Sequence, residues 1–587
     1  MRYFVPGLLL LISLIAFTPA CDEALVSSLG EPVEFRAHED ADPVLLRMGE
    51  SHSSDVQDHQ ALLVIHKGLL SMQGERAVEI DKVLDTQVYA GPDDEAGDPH
   101  WITRARVLDR DGEPLWTQRV NSLYQLLEFL SVIIEDQSPI DISVEEVHHL
   151  ARQEYPELLR FAIKVPNRLE GAHTYVLEIA DEEGDFSELA SYPMSVLEAL
   201  AEEPSPDIEY EIDTLVDAGP AEDQLNVAIL GDGYTEAERH IFEGDAQAVA
   251  DRLMGTSPMT EHADLFNIKA IWTPSEESGA GYDCNHFGAP SDCDHGFRDN
   301  VFNTTFVIPA LGDRFGLDVS AISDRVAMPL ELAKIYELAS LAHYDEIIFL
   351  ANSPKRSGFA GLYVAVVTNF DDRDTFPDVA VHEVGHTLGL LGDEYNIPSD
   401  ACYYNEPTIP LPANISEIVD GEVRWSEWVE DMTPLPTPET EEYGDLVGGF
   451  EGAYNCDFLA RPEKDCMMKA SGYDFCTVCS EQMVRRFYSM VHPAPHQPST
   501  TTLLGTGEVQ LTVPMRGDGE RYEVVWTVDG TPSNVDRPSL NVSTADIPDD
   551  EWLHVDAVIR NASSFLHTPD QAVTSEFQFQ LKKDAAP

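Results

Sequence analysis

In the stretch His382-Glu383-Val384-Gly385-His386-Thr387-Leu388-Gly389-Leu390-Leu391-Gly392-Asp393-Glu394-Tyr395, two histidines stand four residues apart. On a helix that spacing puts both imidazoles on one face, where they can aim at a single metal ion. Glu383 follows the first histidine and would face the cleft beside the ion. A carboxylate in that position can take a proton from a zinc-bound water and pass it to a leaving amine. A bare H-E-x-x-H also arises by accident, as an exposed helix with an ion pair. The residues after it narrow the reading. Gly389 can end the helix in a left-handed turn, and Gly392 allows a second bend, so the chain can come back toward the metal. A catalytic zinc takes about three protein ligands and keeps one position open. Asp393 is the first residue past both glycines with a coordinating side chain, which makes it the expected third ligand. Glu394, pointing the other way if the turn is extended, or a more distant acid is the alternative.

Working outward, the surrounding chain alternates strand and helix patterns. Strands are expected over 225–230, 266–271, 346–350 and 361–367, with a helix over 330–342, so residues 224–492 read as one α/β domain. The strand 361–367, just before the His-bearing helix, is the expected sheet edge onto which an extended peptide could add. The segment Gly231-Asp232-Gly233 after the first strand lacks the third glycine and the later acid of a nucleotide-binding loop, and reads as a tight turn. Thr235 and Glu238 then form a capping box. Cys466-Met467-Met468 could place a methionine floor under the metal or could be ordinary core. Upstream, residues 22–201 carry alternating strand patterns and an Asp111-Gly112 turn, and read as a β-sandwich with a helical interruption near 123–134. Residues 202–223 are acidic and proline-bearing and read as a linker. Residues 499–583 return to short alternating strands with a tryptophan, as in an immunoglobulin-like sandwich. The expected fold is thus multi-domain: a central α/β peptidase-type domain between two β-sandwiches.

The His382–Tyr395 motif resembles the signature of the bacterial IgA-specific metallopeptidase family. Other segments agree: Ile229-Leu230-Gly231-Asp232-Gly233-Tyr234-Thr235, Pro274-Ser275-Glu276-Glu277-Ser278-Gly279, Arg461-Pro462, Cys466-Met467-Met468 and Phe475-Cys476-Thr477-Val478-Cys479. The resemblance covers roughly 224–488. It implies a zinc endopeptidase with a metzincin-like fold, while the reading of the residues themselves puts His382, His386 and Asp393 on the metal and Glu383 as general base. In metzincins the third ligand usually falls one residue earlier, where this chain has Gly392. The family name does not imply that IgA is the substrate; protein or peptide is the substrate class.

Composition bounds the rest. The 587 residues carry 36 basic and 106 acidic side chains, a net charge of −70, which disfavours nucleic acid and anionic lipid as partners. Arg2, an apolar run over 4–17 and Thr18-Pro19-Ala20 before Cys21 read as a signal peptide over 1–20. Export is therefore expected, either as a cell-envelope lipoprotein anchored through Cys21 or as a secreted protein. Disulfides are then permissible. Cys284 and Cys293 form the most natural local pair, and Cys476-Thr477-Val478-Cys479 reads as a staple rather than a redox site. A structural zinc cluster of Cys456, Cys466, Cys476 and Cys479 is a weaker alternative, since the spacing is not that of two matched knuckles. Asp371, Asp372 and Asp374 could hold calcium but lack EF-hand spacing and read as a solvated loop. His286 and His295 read as surface residues, and the sequons at Asn303, Asn414, Asn541 and Asn561 carry little meaning in a bacterial-type protein. Two rival functions remain: hydrolysis of another amide, such as peptidoglycan, and a non-catalytic adhesin, which the intact Glu383 disfavours.

Overall fold

The computed structural model describes residues 33–35, 44–52, 61–70, 76–86, 103–120, 160–166, 169, 171–180, 186–281, 296–306, 326–361, 364–370, 373–396, 411–495, 499–504, 507–517, 519–548, 551–567 and 574–583. The signal peptide with Cys21, the 123–134 helix, Cys284, Cys293, Cys402, His286, His295, Asp371 and Asp372 lie outside these. Among the described residues no helix is long and apolar enough to cross a membrane.

The central sheet has six strands, in the order Glu211–Val216, Phe266–Trp272, Leu225–Asp232, Glu346–Ala351, Val364–Thr368 and Gly358–Gly361. The inner four run parallel, and the strands at both ends run antiparallel to their neighbours. Both faces are covered, which explains why the inner strands are continuously apolar rather than alternating with polar residues. Val227, Ile229, Ile348, Leu350, Ala365 and Val367 pack with the helices Arg239–Met254 and Phe376–Thr387. Ala228, Leu230, Ile347, Phe349, Val364 and Val366 point the other way, toward the helix Leu332–Ser340 and the N-terminal β region.

Two expectations about this domain change. The segment read as a linker contributes Glu211–Val216 as a terminal strand of the sheet, paired antiparallel with Phe266–Trp272. Its acidic residues sit on a half-exposed edge, where charge is tolerated and blunts further pairing. The strand beside the His-bearing helix also divides. Val364–Thr368 is interior, and Gly358–Gly361 is the outer strand, paired with it in antiparallel register. The Gly231-Asp232-Gly233 turn is structural. The Gly279 amide donates to the Gly233 carbonyl at 2.9 Å, Ser275 N donates to Tyr234 O at 2.8 Å, and the Thr235–Glu238 capping box is formed.

Before this domain, two four-stranded sheets share a buried core that includes Leu63, Ile65, Trp116, Phe161, Tyr175 and Leu177. After it, a three-stranded and a six-stranded sheet enclose Trp526, Leu511 and Phe579. The expected 22–201 unit is not continuous, because Val44–His52 pairs along its whole length with Thr574–Lys583 in the C-terminal six-stranded sheet. Period-2 patterning reveals that a segment is a strand but not which strand it joins. The C-terminal unit is packed onto the peptidase domain. Arg521 Nη2 donates to both carboxylate oxygens of Asp264 at 2.6 Å, and the Tyr488 and Tyr522 hydroxyls lie 2.8 Å apart.

Candidate metal centre

The helix Phe376–Thr387 buries Phe376, Ala380, Val381 and Val384 against the sheet, which leaves His382 and His386 on the opposite, half-exposed side. Asp378 in its first turn suits the positive end of the helix dipole and also accepts from Arg252. The helix ends at Thr387. Gly389 does not take the left-handed conformation expected of it; Leu390 does, at φ 56°. Gly389 is instead crowded, since a Cβ there would lie 2.4 Å from Met483 Sδ. The Leu391 amide donates to the Gly385 carbonyl at 3.0 Å, and the chain turns back across the end of the helix.

That return brings Asp393 to the histidines. Asp393 Oδ1 lies 3.1 Å from His382 Nε2 and 3.2 Å from His386 Nε2, and the two Nε2 atoms are 3.2 Å apart. Ligand atoms about 2.0–2.1 Å from a tetrahedral zinc are separated by roughly 3.3–3.4 Å, so the triangle is of the right size. The tautomers also fit. His382 Nδ1 lies 3.0 Å from the Met467 carbonyl and His386 Nδ1 lies 2.7 Å from the Leu391 carbonyl. Each carbonyl accepts a proton from Nδ1 and leaves the Nε2 lone pair for a metal, the usual outer-shell arrangement of ligating histidines. The three side chains are 18%, 21% and 17% exposed, so the site is open to solvent and substrate. Burial pushes the imidazoles down and the carboxyl up, but their contacts win. Asp393 is held far below the usual carboxylate range, His382 is raised to about 9, and His386 is raised as well.

Glu383 is buried beside this triangle. Burial raises its carboxyl above the ordinary value, with the charges of His382 and His386 opposing. Its Oε1 packs against Gly358 of the outer strand so closely that a Cβ on Gly358 would lie 2.4 Å away. The site beneath the helix is equally tight, because a Cβ on Gly385 would meet Met468 Sδ at 2.5 Å. Met468 is therefore core that packs against the helix backbone at Gly385.

Glu394 turns away from the histidines. Its Oε1 accepts from Asn414 Nδ2 at 2.9 Å and lies 3.1 Å from Cys479 Sγ and 3.9 Å from Cys476 Sγ. Cys466, Cys476 and Cys479 are free thiols, not the staple expected of the C-x-x-C. Asn414, noticed in the sequence only as a sequon, is fully buried and clamps the returning chain. It accepts from Gly392 N at 2.8 Å and donates to Gly392 O at 2.9 Å. No pattern in its own neighbourhood signals that role. Arg373 next to the acidic loop pairs with Asp245, and the capped Gly231–Tyr234 turn supplies nothing to the triangle.

A mixed sheet with a helix of two histidines, an acid returned to them and a buried glutamate alongside defines a metallopeptidase, a hydrolase of peptide bonds. Residues 213–443 match the model of the IgA peptidase M64 family, and the chain carries that family's peptidase domain. The match begins within the terminal strand Glu211–Val216 and ends before Cys466. No curated protein matches the chain.

Proposed function

We propose that the chain is an exported zinc endopeptidase acting on proteins outside the cytoplasm, with a metzincin-like catalytic domain. His382, His386 and Asp393 hold the ion and Glu383 is the general base. The observation that carries this reading is the triangle of three ligand atoms at 3.1–3.2 Å with both Nδ1 atoms engaged by backbone carbonyls. Zinc bound there would supply Lewis acidity toward the scissile carbonyl and lower the pKa of water.

The remaining work falls to the chain's own residues. The Glu383 carboxylate takes the proton of the attacking water and returns it to the departing amine. Its burial supports this role, because a carboxyl pushed above its ordinary value releases and regains a proton closer to neutral pH. The strand Gly358–Gly361 pairs with Val364–Thr368 at the end of the described sheet. Gly358 packs against Glu383, and the backbone of an extended substrate would run near this end of the sheet. The apolar segment before Cys21 supports export, with acylation of Cys21 as the anchor. Cleavage of a peptide library, compared between wild type and Glu383→Gln with metal content measured in both, tests the assignment. Retained metal with lost cleavage is expected, and unchanged cleavage would remove Glu383 from the mechanism.

A further inference from the structure

We infer that the chain binds a second, structural zinc ion through Glu394, Cys466, Cys476 and Cys479, behind the catalytic triangle. The four side chains are 0%, 0%, 4% and 0% exposed, and one ligand atom from each lies within 4.8 Å of the others. Cys466 Sγ and Cys479 Sγ are 3.8 Å apart, and Glu394 Oε1 is 3.1 Å and 3.9 Å from Cys479 Sγ and Cys476 Sγ. A tetrahedral zinc with thiolates at about 2.3 Å and a carboxylate at about 2.0–2.2 Å spaces sulfurs by about 3.8 Å and sulfur from oxygen by about 3.5 Å. The spacing of the cluster is thus near that of a zinc-bound set.

Two features point to a cation rather than to ordinary packing. Glu394 Oε2 is buried with no hydrogen-bond partner, an arrangement folded proteins avoid unless an ion or water completes it. Backbone amides also converge on a thiol: Met468 N and Cys476 N lie 3.4 Å and 3.3 Å from Cys466 Sγ. Such donors favour the thiolate, which is the metal-binding form. Three thiols and a carboxylate packed together out of water are a costly set of groups, which a divalent ion would stabilise as anions. A disulfide could use two of the three thiols and would leave the third beside the carboxylate. One ion uses every group. This donor set replaces the Cys456 of the all-cysteine alternative with Glu394, since Cys456 packs in a separate cluster with Ile415 and Leu459.

The position gives the ion a purpose. Glu394 follows Asp393 directly, and its amide donates to the Met468 carbonyl at 2.9 Å. Cys466-Met467-Met468 sends its sulfur into the second site, while the Met467 carbonyl orients His382 and Met468 lies under Gly385. An ion on Glu394 and Cys466 would therefore fix both segments that shape the catalytic triangle. The inference stands on its own donor set and does not depend on the roles proposed for His382, His386 and Asp393.

The test is metal analysis of the full chain, purified under reducing conditions. Two zinc equivalents are expected in wild type, and one should remain in the double variant His382→Ala/His386→Ala. Cobalt exchanged into that double variant should give the near-ultraviolet charge-transfer absorption of thiolate coordination, and the band should be absent when Cys466→Ser is added. The double variant keeps the thiol site intact, so the result stands even if cysteine variants do not fold. A double variant that binds no metal and shows no thiolate–cobalt band would overturn the proposal.

Discussion

Asp393 turns its carboxylate toward His382 and His386 at a site about one-fifth exposed, whereas Glu394 turns into a closed pocket with three thiols. Consecutive residues in an extended segment point to opposite sides, so one short stretch feeds two clusters of different chemistry. The outward cluster offers two imidazoles and one carboxylate and leaves room for a reacting group. The inward cluster offers three sulfurs and a carboxylate and is closed, as structural zinc sites are. Under the proposed roles, exposure rather than the number of ligands distinguishes the catalytic cluster from the structural one.

The largest effect that separates the two sides belongs to Glu383→Gln. It removes a proton-transfer group but no ligand, so kcat/KM should fall by about a hundredfold to ten-thousandfold with metal content unchanged. Steady-state cleavage of a fluorogenic peptide and elemental analysis of the same sample check it. Loss of metal would make Glu383 a ligand, and the outward cluster would no longer be a three-residue set.

Asp393→Ala and Glu394→Ala give the next contrast. The first should release the outward ion and abolish cleavage while keeping thiolate coordination of cobalt. The second should lose that coordination and lower thermal stability. If Asp393→Ala keeps its full metal content while Glu394→Ala loses the catalytic ion, the orientation of the two acids is reversed.

Asn414→Ala should act on both sides with a smaller effect, because its amide holds Gly392 through two hydrogen bonds and Glu394 through a third. Loss of a residue that orients ligands typically weakens metal binding by about 10–100-fold. Competition with a chelator should show both ions released more readily, and weakening of one alone would assign the clamp to that site.

These residues also mark how far the sequence could be read. His382, Glu383, His386 and Asp393 lie within one helix and the turn after it, where spacing puts both histidines on one face and narrows the returning acid to a few neighbours, Asp393 first. The inward cluster joins Glu394 to Cys466 and to a C-x-x-C at a helix N-terminus, and spacing carries no information on such distant pairing. The same limit applies to Val44–His52, whose strand character is legible and whose partner at Thr574–Lys583 is not. Asn414 was legible only as the start of a sequon, because its burial depends on the fold around it. Gly358 could not be linked to Glu383 until the outer strand was distinguished from the interior one.

The smallest expected effect concerns how the outward cluster's helix is braced. Thr387, next to His386, donates to the buried carboxyl of Glu346, a residue of the strand Glu346–Ala351. Burial raises Glu346 from 4.5 to about 8, with Thr387, Lys164 and Arg486 opposing and Asp345 adding to the rise. In the unfolded chain the group ionises near its ordinary value, so the folded state binds its proton more tightly. The stability this contributes is full below about pH 4.5 and is lost as pH climbs toward about 8, the opposite of a salt-bridged carboxylate. Glu346→Gln keeps an acceptor for Thr387 and removes the ionisation. Urea unfolding from pH 5 to 8 should therefore show the stability difference between variant and wild type shifting in the variant's favour as pH rises. Cleavage by the variant should stay within a few-fold of wild type, because the brace acts on the back of the helix and not on the ligand atoms. A difference that does not change with pH would mean that Glu346 is already ionised in the fold, paired with Lys164, and that the helix is held by charge rather than by a neutral hydrogen bond.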